Sequence, residues 1–300
     1  MKILVTGGAG FIGSHVVDAY LRAGHRVVVV DNLSTGSRKN LDPRAKFYRA
    51  DVRSLTAIKK IFKKERPRVV SHYAALVHVA ESMRNPIPTF NVNVLGTINV
   101  LVAFRESKEK RKKIIFASSG GSIYGNPKLL PVKENAAPNP LSPYALSKLM
   151  GEEAVRFHGT VDKLDYTILR YANVYGSRQK AGVVSVFASL MRREKRPTIF
   201  GDGSKTRDYV HVSDVARATL KALSKGNREI YNIGSGKNTS DQEVFEEVAK
   251  NLGFKQSPVY APRREGEVEH ITLDANRARK ALGWIPKVSL SKGILEAITR

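Results

Sequence analysis

Tyr144 and Lys148, in the stretch Ser142-Pro-Tyr-Ala-Leu-Ser-Lys148, have the types and spacing of an acid/base couple. Four residues apart on a helix, the phenol and the ammonium lie on one face about a turn apart. A free tyrosine titrates near pH ~10, so a tyrosine base near neutrality needs its phenolate favoured by about 4 kcal/mol. A neighbouring lysine cation can supply part of that. A Tyr-x-x-x-Lys alone recurs by chance in helical stretches. It gains weight here because the chain opens with Thr6-Gly-Gly-Ala-Gly-Phe-Ile-Gly-Ser14.

Gly7, Gly10 and Gly13 fall between a first apolar strand and a first amphipathic helix. Glycine there permits a tight turn, close approach of backbone to a pyrophosphate, and close helix–strand packing. The helix N-terminus then offers free amides to anionic oxygens. A Gly-x-x-Gly-x-x-Gly could be only a turn, but Asp31 follows Gly13 by eighteen residues, at the end of a second strand. A carboxylate there accepts from the adenosine ribose hydroxyls and repels a 2′-phosphate, so NAD is favoured. Arg38 and Lys39 lie close enough in sequence to leave NADP open.

The elements that must position these groups follow from the apolar pattern. Residues 2–5 read as a strand, 12–22 as a helix ended by Gly24, and 26–30 as a buried strand. Residues 69–72, 114–117 and 167–169 continue the strand series, separated by helical segments. Alternating strands and helices with near-continuous apolar strands imply an α/β protein whose parallel sheet is covered on both faces. After about residue 170 the texture changes, with more Gly, Pro and Arg, and residues 214–223 read as a helix returning to the first unit. Two interleaved lobes are expected: residues 1–173 with 206–231 as the cofactor domain, and 174–205 with 232–300 as a smaller substrate-binding lobe.

Three hundred residues with 42% hydrophobic content give ample chain for a core. The longest uninterrupted apolar runs, such as Val27 to Val30, are strand-sized, so no membrane span is expected. No signal peptide is read, because residues 1–6 lead straight into the glycine loop. With no cysteine, a disulfide framework, thiol nucleophile and thiolate metal site are excluded. His72 and His78 lack a third ligand at useful spacing, so no metal is expected. A cytoplasmic protein is the expectation.

There are 51 Lys and Arg against 27 Asp and Glu, a formal net charge of +24. Such charge suits a nucleic-acid or membrane-surface partner. The runs at 59–68, 108–113 and 192–196 each precede an apolar strand, where a helix should end and cations oppose its dipole. Without an RNA-binding motif, solvated surface is the preferred reading.

On these residues the chain resembles the extended short-chain dehydrogenases/reductases, specifically their nucleotide-sugar epimerase/dehydratase group. Thr6 to Gly13 is similar to the family's opening, and Asp31-Asn-Leu-Ser-Thr-Gly36 to its adenosine loop. Gly201-Asp-Gly-Ser-Lys-Thr-Arg-Asp-Tyr-Val210 is similar to a specific family signature. The resemblance covers essentially the whole length and implies a Rossmann-type doubly wound sheet with NAD as cofactor. For the cofactor it implies Gly7, Gly10, Phe11, Ile12, Gly13, Asp31, Asn32, Ser34, Thr35, Gly36, Asp51 and Val52, then Ala74, Ala75, Asn93, Ser118, Tyr144 and Lys148. For a UDP-sugar it implies Ser119, Ser122, Tyr124, Tyr144, Asn173, Arg207, Arg264 and Ile271. Two arginines suit a diphosphate, since planar guanidinium forks bind its oxygens in pairs. Ile271, seven residues after Arg264, is where relatives limit the sugar C2 substituent. Trp284, by contrast, is read as packing a C-terminal helix, and Tyr124 as a residue type also suits a core or pocket wall.

One position departs from the pattern. Relatives carry Ser or Thr four residues before the Tyr-Gly that follows the strand at 114–117, and this chain has Gly120. Ser119 or Ser122 is expected to supply the relay hydroxyl. Gly121 and Ser122 stand where similar 4,6-dehydratases place Asp and Glu, and the glutamate of related decarboxylases is absent too. The cysteine of C3/C5 epimerases is also missing. The resemblance therefore implies 4-epimerisation of UDP-glucose and UDP-galactose on retained NAD, Tyr144 as base assisted by Lys148, in a homodimer. Other readings are 4-epimerisation of UDP-glucuronate or UDP-N-acetyl sugars, a dehydrogenase releasing NADH, or an idle relative binding RNA through its basic surface.

Overall fold

The structure, a computed structural model, describes residues 1–109 and 111–299. Lys110, inside the basic run at 108–113, and Arg300 lie outside the described residues.

Seven parallel strands form the central sheet: β1 (Lys2–Thr6), β2 (Arg26–Asp31), β3 (Lys46–Arg49), β4 (Val69–His72), β5 (Lys113–Ser119), β6 (Asp165–Tyr171) and β7 (Glu229–Ile233). Their spatial order is β7-β6-β5-β4-β1-β2-β3. The chain thus winds outward from β1 to β3, then crosses back to place β4 on the other side of β1. That reversal opens a crevice at the carboxyl ends of β1 and β4, where ligands of open α/β sheets bind. The register is set by burial: Leu4, Val28, Val30, Val70, Ile114 and Phe116 pack on one face with Ile58, Phe62, Leu101 and Phe104. Ile3, Val5, Val27, Val29 and Ile115 pack on the other with Val16, Val17, Tyr20 and Val215. Successive strand residues alternate faces, so a slip of one residue would exchange the two cores.

Five strands fall where the hydrophobic runs place them, β4 with the same bounds and the other four extended by one to a few residues. The outer strands β3 and β7, with Lys46, Arg49 and Glu229 at their ends, were not apparent from the pattern. They are short edge strands whose pairing, with β2 and β6, comes from tertiary contact rather than a continuous apolar run. The helix expected at 214–223 is Val212–Lys221, packed on the first helix, Phe11–Arg22. A separate core of Val184, Phe187, Met191, Ile199, Val244, Phe245 and Ile294 holds the C-terminal lobe. Trp284 is fully buried in the larger core and donates its indole N–H to the Asp214 carbonyl at 2.8 Å.

Two expectations need correction. Helix Pro86–Glu106 is long and apolar enough to cross a membrane by length and composition, although half of its most apolar window is buried inside the fold. Counting uninterrupted apolar residues missed it because Asn, Gly and Thr punctuate the run. Of the basic runs, Lys63 and Lys64 occupy a last helical turn, whereas those at 108–113 and 192–196 follow helices ending at Glu106 and Met191. Only the first opposes a helix dipole from within the helix.

Candidate active site

The glycine cradle is built by close approach. At Gly7, φ is +66° and an added Cβ would lie 2.5 Å from the Ala74 amide nitrogen. At Gly13 it would lie 2.2 Å from the Gly7 carbonyl oxygen. Neither position accepts a side chain, because the obstacles are backbone. Gly10 has only the Gly7 carbonyl within 4 Å, so its outer side is open. That geometry leaves the amide end of the first helix uncovered, which fits a pyrophosphate.

Asp31 ends β2 and is buried, accepting from the Ala9 amide at 3.0 Å and the Leu33 amide at 2.8 Å. Leu33 is held at φ +62°, a left-handed conformation stabilised by that bond. A carboxylate has about four acceptor sites, so Asp31 keeps capacity for ribose hydroxyls. Asn32 donates to Asp51 at 2.9 Å, and the Asn99 amide clasps the carbonyls of Val52 and Arg53. Arg53 chelates Asp51 and holds its carboxyl well below the usual range. Arg38, considered for a 2′-phosphate, stacks on the Phe47 ring at 4.3 Å.

Tyr144 lies in the first turn of helix Pro143–Val161, started by Ser142, whose hydroxyl accepts from the Ala145 amide, and by Pro143. The Tyr144 amide donates to Ser82 at 3.2 Å, tying this helix end to Val79–Arg84. Burial pushes the phenol above its ordinary value, and the Ser119 hydroxyl draws it back in part. Ser122 faces Ser119 at 3.1 Å, so the two candidate hydroxyls form a chain with Ser119 next to the phenol. Lys148, one turn on, is buried over the Phe116 ring at 4.7 Å. Burial lowers its ammonium to about 8, opposed by the carboxylate of Glu152.

The absent hydroxyl at Gly120 has a steric reason. A Cβ there would meet the buried Leu273 side chain at 2.6 Å and the Arg170 carbonyl at 3.1 Å. At Gly121 a Cβ would lie 2.8 Å from Asn173 Oδ1. Asn173 therefore fills the space in which an acidic side chain would start.

Three residues expected at ligands are engaged otherwise. Asn93 uses both amide hydrogens, on the Leu76 carbonyl and Ser147, each at 2.9 Å, and accepts from the Leu76 amide. It sits in a π-turn at Asn91–Leu95 and ties the strand-β4 loop to the tyrosine helix. Ser118 is buried and donates to Glu152. The Tyr124 hydroxyl accepts from Arg170 at 2.8 Å and donates to Asn232 at 2.9 Å. All three are buried. His72 bonds Thr6 and Thr97 through both ring nitrogens, a core role.

Arg207, on a two-residue strand Thr206–Arg207 that pairs antiparallel with Thr239–Ser240 of the second lobe, is buried and donates to the carbonyls of Thr206 and Glu269, both at 3.0 Å. Arg264 stacks on Phe200 with its guanidinium carbon 3.4 Å from the ring centre. Glu267 lies 3.9 Å from Arg264 and is itself paired with Lys205. Ile271 is buried with Ile123 and Tyr124, its amide on the Thr206 carbonyl at 3.3 Å. Sequence reading overlooked Glu152 and Arg170, whose buried pairing leaves no local motif.

A sheet crevice with a dinucleotide cradle, a tyrosine–lysine helix and a second lobe carrying arginines defines a nucleotide-cofactor oxidoreduction site. Residues 3–234 match the NAD dependent epimerase/dehydratase family, and the chain belongs to it. A Methanocaldococcus jannaschii protein, provisionally described as a UDP-glucose 4-epimerase, is 48% identical over 99% of this chain and 97% of its own. The Thermotoga maritima UDP-glucose 4-epimerase with UDP-glucose is similar at TM-score 0.96 and 44% identity, covering 100% of this chain and 98% of that one. The Thermus thermophilus UDP-glucose 4-epimerase with NAD gives 0.94 and 40%, with the same coverage.

Proposed function

We propose that this protein is a cytoplasmic UDP-glucose 4-epimerase, interconverting UDP-glucose and UDP-galactose by oxidation at C4, turning of the 4-keto sugar and re-reduction. The observation that carries this reading is the Ser122–Ser119–Tyr144 hydroxyl chain beside the cradle, with Gly121 closed off by Asn173 where an elimination acid would stand. NAD, when bound, supplies the hydride acceptor and donor. Gly7, Gly10 and Gly13 would hold its pyrophosphate, and Asp31 its adenosine ribose.

Tyr144 takes the proton of the sugar 4-hydroxyl and later returns it, with Ser119 sharing that proton and Ser122 orienting Ser119. Lys148 stabilises the phenolate once the site is filled. Arg207 and Arg264 anchor the diphosphate, so the sugar turns without leaving. UDP-galactose deuterated at C4 should give UDP-glucose with the label still on C4. Washout of that label into solvent would sink the reading.

The same proposal includes a homodimer. Leu146, Met150, Phe157 and Val161 are exposed on helix Pro143–Val161, beside exposed Leu95 and Ile98 on the adjoining helix. Such a patch on paired helices suits a second copy of this chain. Sedimentation equilibrium should give twice the chain mass, and a monomer at micromolar concentration would contradict the pairing.

A further inference from the structure

We propose that Ser82 is a positioning residue for the reaction, a buried hydroxyl that fixes where the tyrosine helix holds the Tyr144 phenol. The first turn of helix Pro143–Val161 leaves one amide for an outside partner. Pro143 has no N–H, Ala145 donates to the Ser142 hydroxyl at 3.2 Å, and Leu146 to the Ser142 carbonyl at 2.9 Å. The amide left over belongs to Tyr144 itself, and it donates to the Ser82 hydroxyl at 3.2 Å. Ser82 is 62 residues away in sequence and has no exposed surface. It lies on helix Val79–Arg84, so the contact places one element against another rather than closing a local turn.

The bond has a fixed sense. Ser82 gives its own proton to the Val79 carbonyl at 2.7 Å, which leaves its lone pairs for the Tyr144 amide. On the other side of the same residue, Ser147 donates to the Tyr144 carbonyl at 2.7 Å. Ser147 shares the helix with Tyr144 and cannot place it. The ties that reach this backbone from other elements are therefore Ser82 and, through Ser147, Asn93. Helix Val79–Arg84 also meets the turn that follows Arg264. A Cβ on Gly266 would lie 2.9 Å from Met83 Sδ and 3.4 Å from the Leu141 carbonyl oxygen. That turn thus rests on the neighbour of Ser82 and on the residue leading into the tyrosine helix. The phenol and the proposed diphosphate anchor share one support.

This inference rests on the 4-epimerase reading for its kinetic consequence, but not for its direct test. Ser82→Ala leaves the Tyr144 amide without its acceptor, and the helix start must shift to find another. A misplacement of about 1 Å can lower a rate about a hundredfold. Turnover, kcat, should therefore fall about ten- to hundredfold, with little change in KM for UDP-galactose because the arginines still hold the nucleotide. Ser82→Cys keeps the size but accepts only weakly, so its kcat should lie between. Rates are taken per NAD-bearing site. A merely structural role predicts a lower melting temperature with kcat per loaded site unchanged. Wild-type kcat in S82A, or in S82C should S82A not fold, would overturn the proposal, as would a loss confined to KM.

The direct readout is the Tyr144 amide in NAD-loaded protein labelled with 15N-tyrosine, with Tyr144→Phe used to identify the signal. In the folded Ser82 variant its exchange with D2O should quicken about tenfold relative to Tyr20, which is buried in the first helix and reports wider opening. Unchanged relative exchange would show that Ser82 does not hold this amide, and the proposal would fall. If wild-type protein converts no UDP-galactose, the functional reading fails by itself, and the exchange still decides whether Ser82 holds Tyr144.

Discussion

Gly13→Ala is the sharpest perturbation of the cofactor cradle. The added methyl would stand 2.2 Å from the Gly7 carbonyl oxygen and 2.9 Å from the Gly8 Cα. Both obstacles are backbone, so no rotamer change relieves them, and the first helix must retreat by about 1 Å to reach ordinary contact. Alanine favours the helix itself by about 1 kcal/mol over glycine, so the helix should form normally. Its amides would nevertheless be carried away from where a pyrophosphate is held. A hydrogen bond to a charged group contributes about 1.5–3 kcal/mol, so losing one or two should weaken NAD binding at least tenfold. The assay is NAD content per chain after purification and gel filtration, with far-UV circular dichroism as the folding control. G13A should have a wild-type spectrum and lose most of its NAD. Full NAD content would refute the reasoning that this contact sets the cradle.

Tyr144→Phe keeps the ring and removes the ionisable oxygen, so kcat should fall by about 10²–10⁴-fold while NAD content holds. Near-normal turnover would remove Tyr144 from the mechanism. Ser119→Ala should reduce kcat more than Ser122→Ala, because Ser119 stands next to the phenol and Ser122 behind it; the reverse order in steady-state kinetics would reassign the relay. Gly120→Ser should bring no gain in rate and should destabilise by about 1–3 kcal/mol through overpacking against Leu273 and the Arg170 carbonyl, read by urea denaturation. A faster, equally stable G120S would show that the space is free.

The parts legible in the sequence were those encoded locally. The cradle, Asp31 and the Tyr144–Lys148 pair each combine residue type with spacing along one element, and the buried strands announced themselves by apolar runs. What escaped was encoded across the chain. Edge strands β3 and β7 depend on partners at β2 and β6 for their identity. The choice between Ser119 and Ser122 turned on which hydroxyl the helix N-terminus brings Tyr144 against. Asn93, Ser118 and Tyr124 have side chains suited to a ligand, yet their hydrogen bonds are taken by Leu76 and Ser147, Glu152, and Arg170 and Asn232. The glycine at 120 was visible in the sequence only as a departure from the family pattern, whereas the structure shows it accommodating Leu273, which is 0% exposed.

The central claim is epimerisation on a retained cofactor. It is tested most directly by giving the purified protein UDP-galactose with no added NAD, following UDP-glucose by chromatography and released NADH at 340 nm in the protein-free filtrate. The account predicts conversion to equilibrium with no NADH in the filtrate. Stoichiometric NADH release, or no conversion by protein shown to carry NAD, would contradict it.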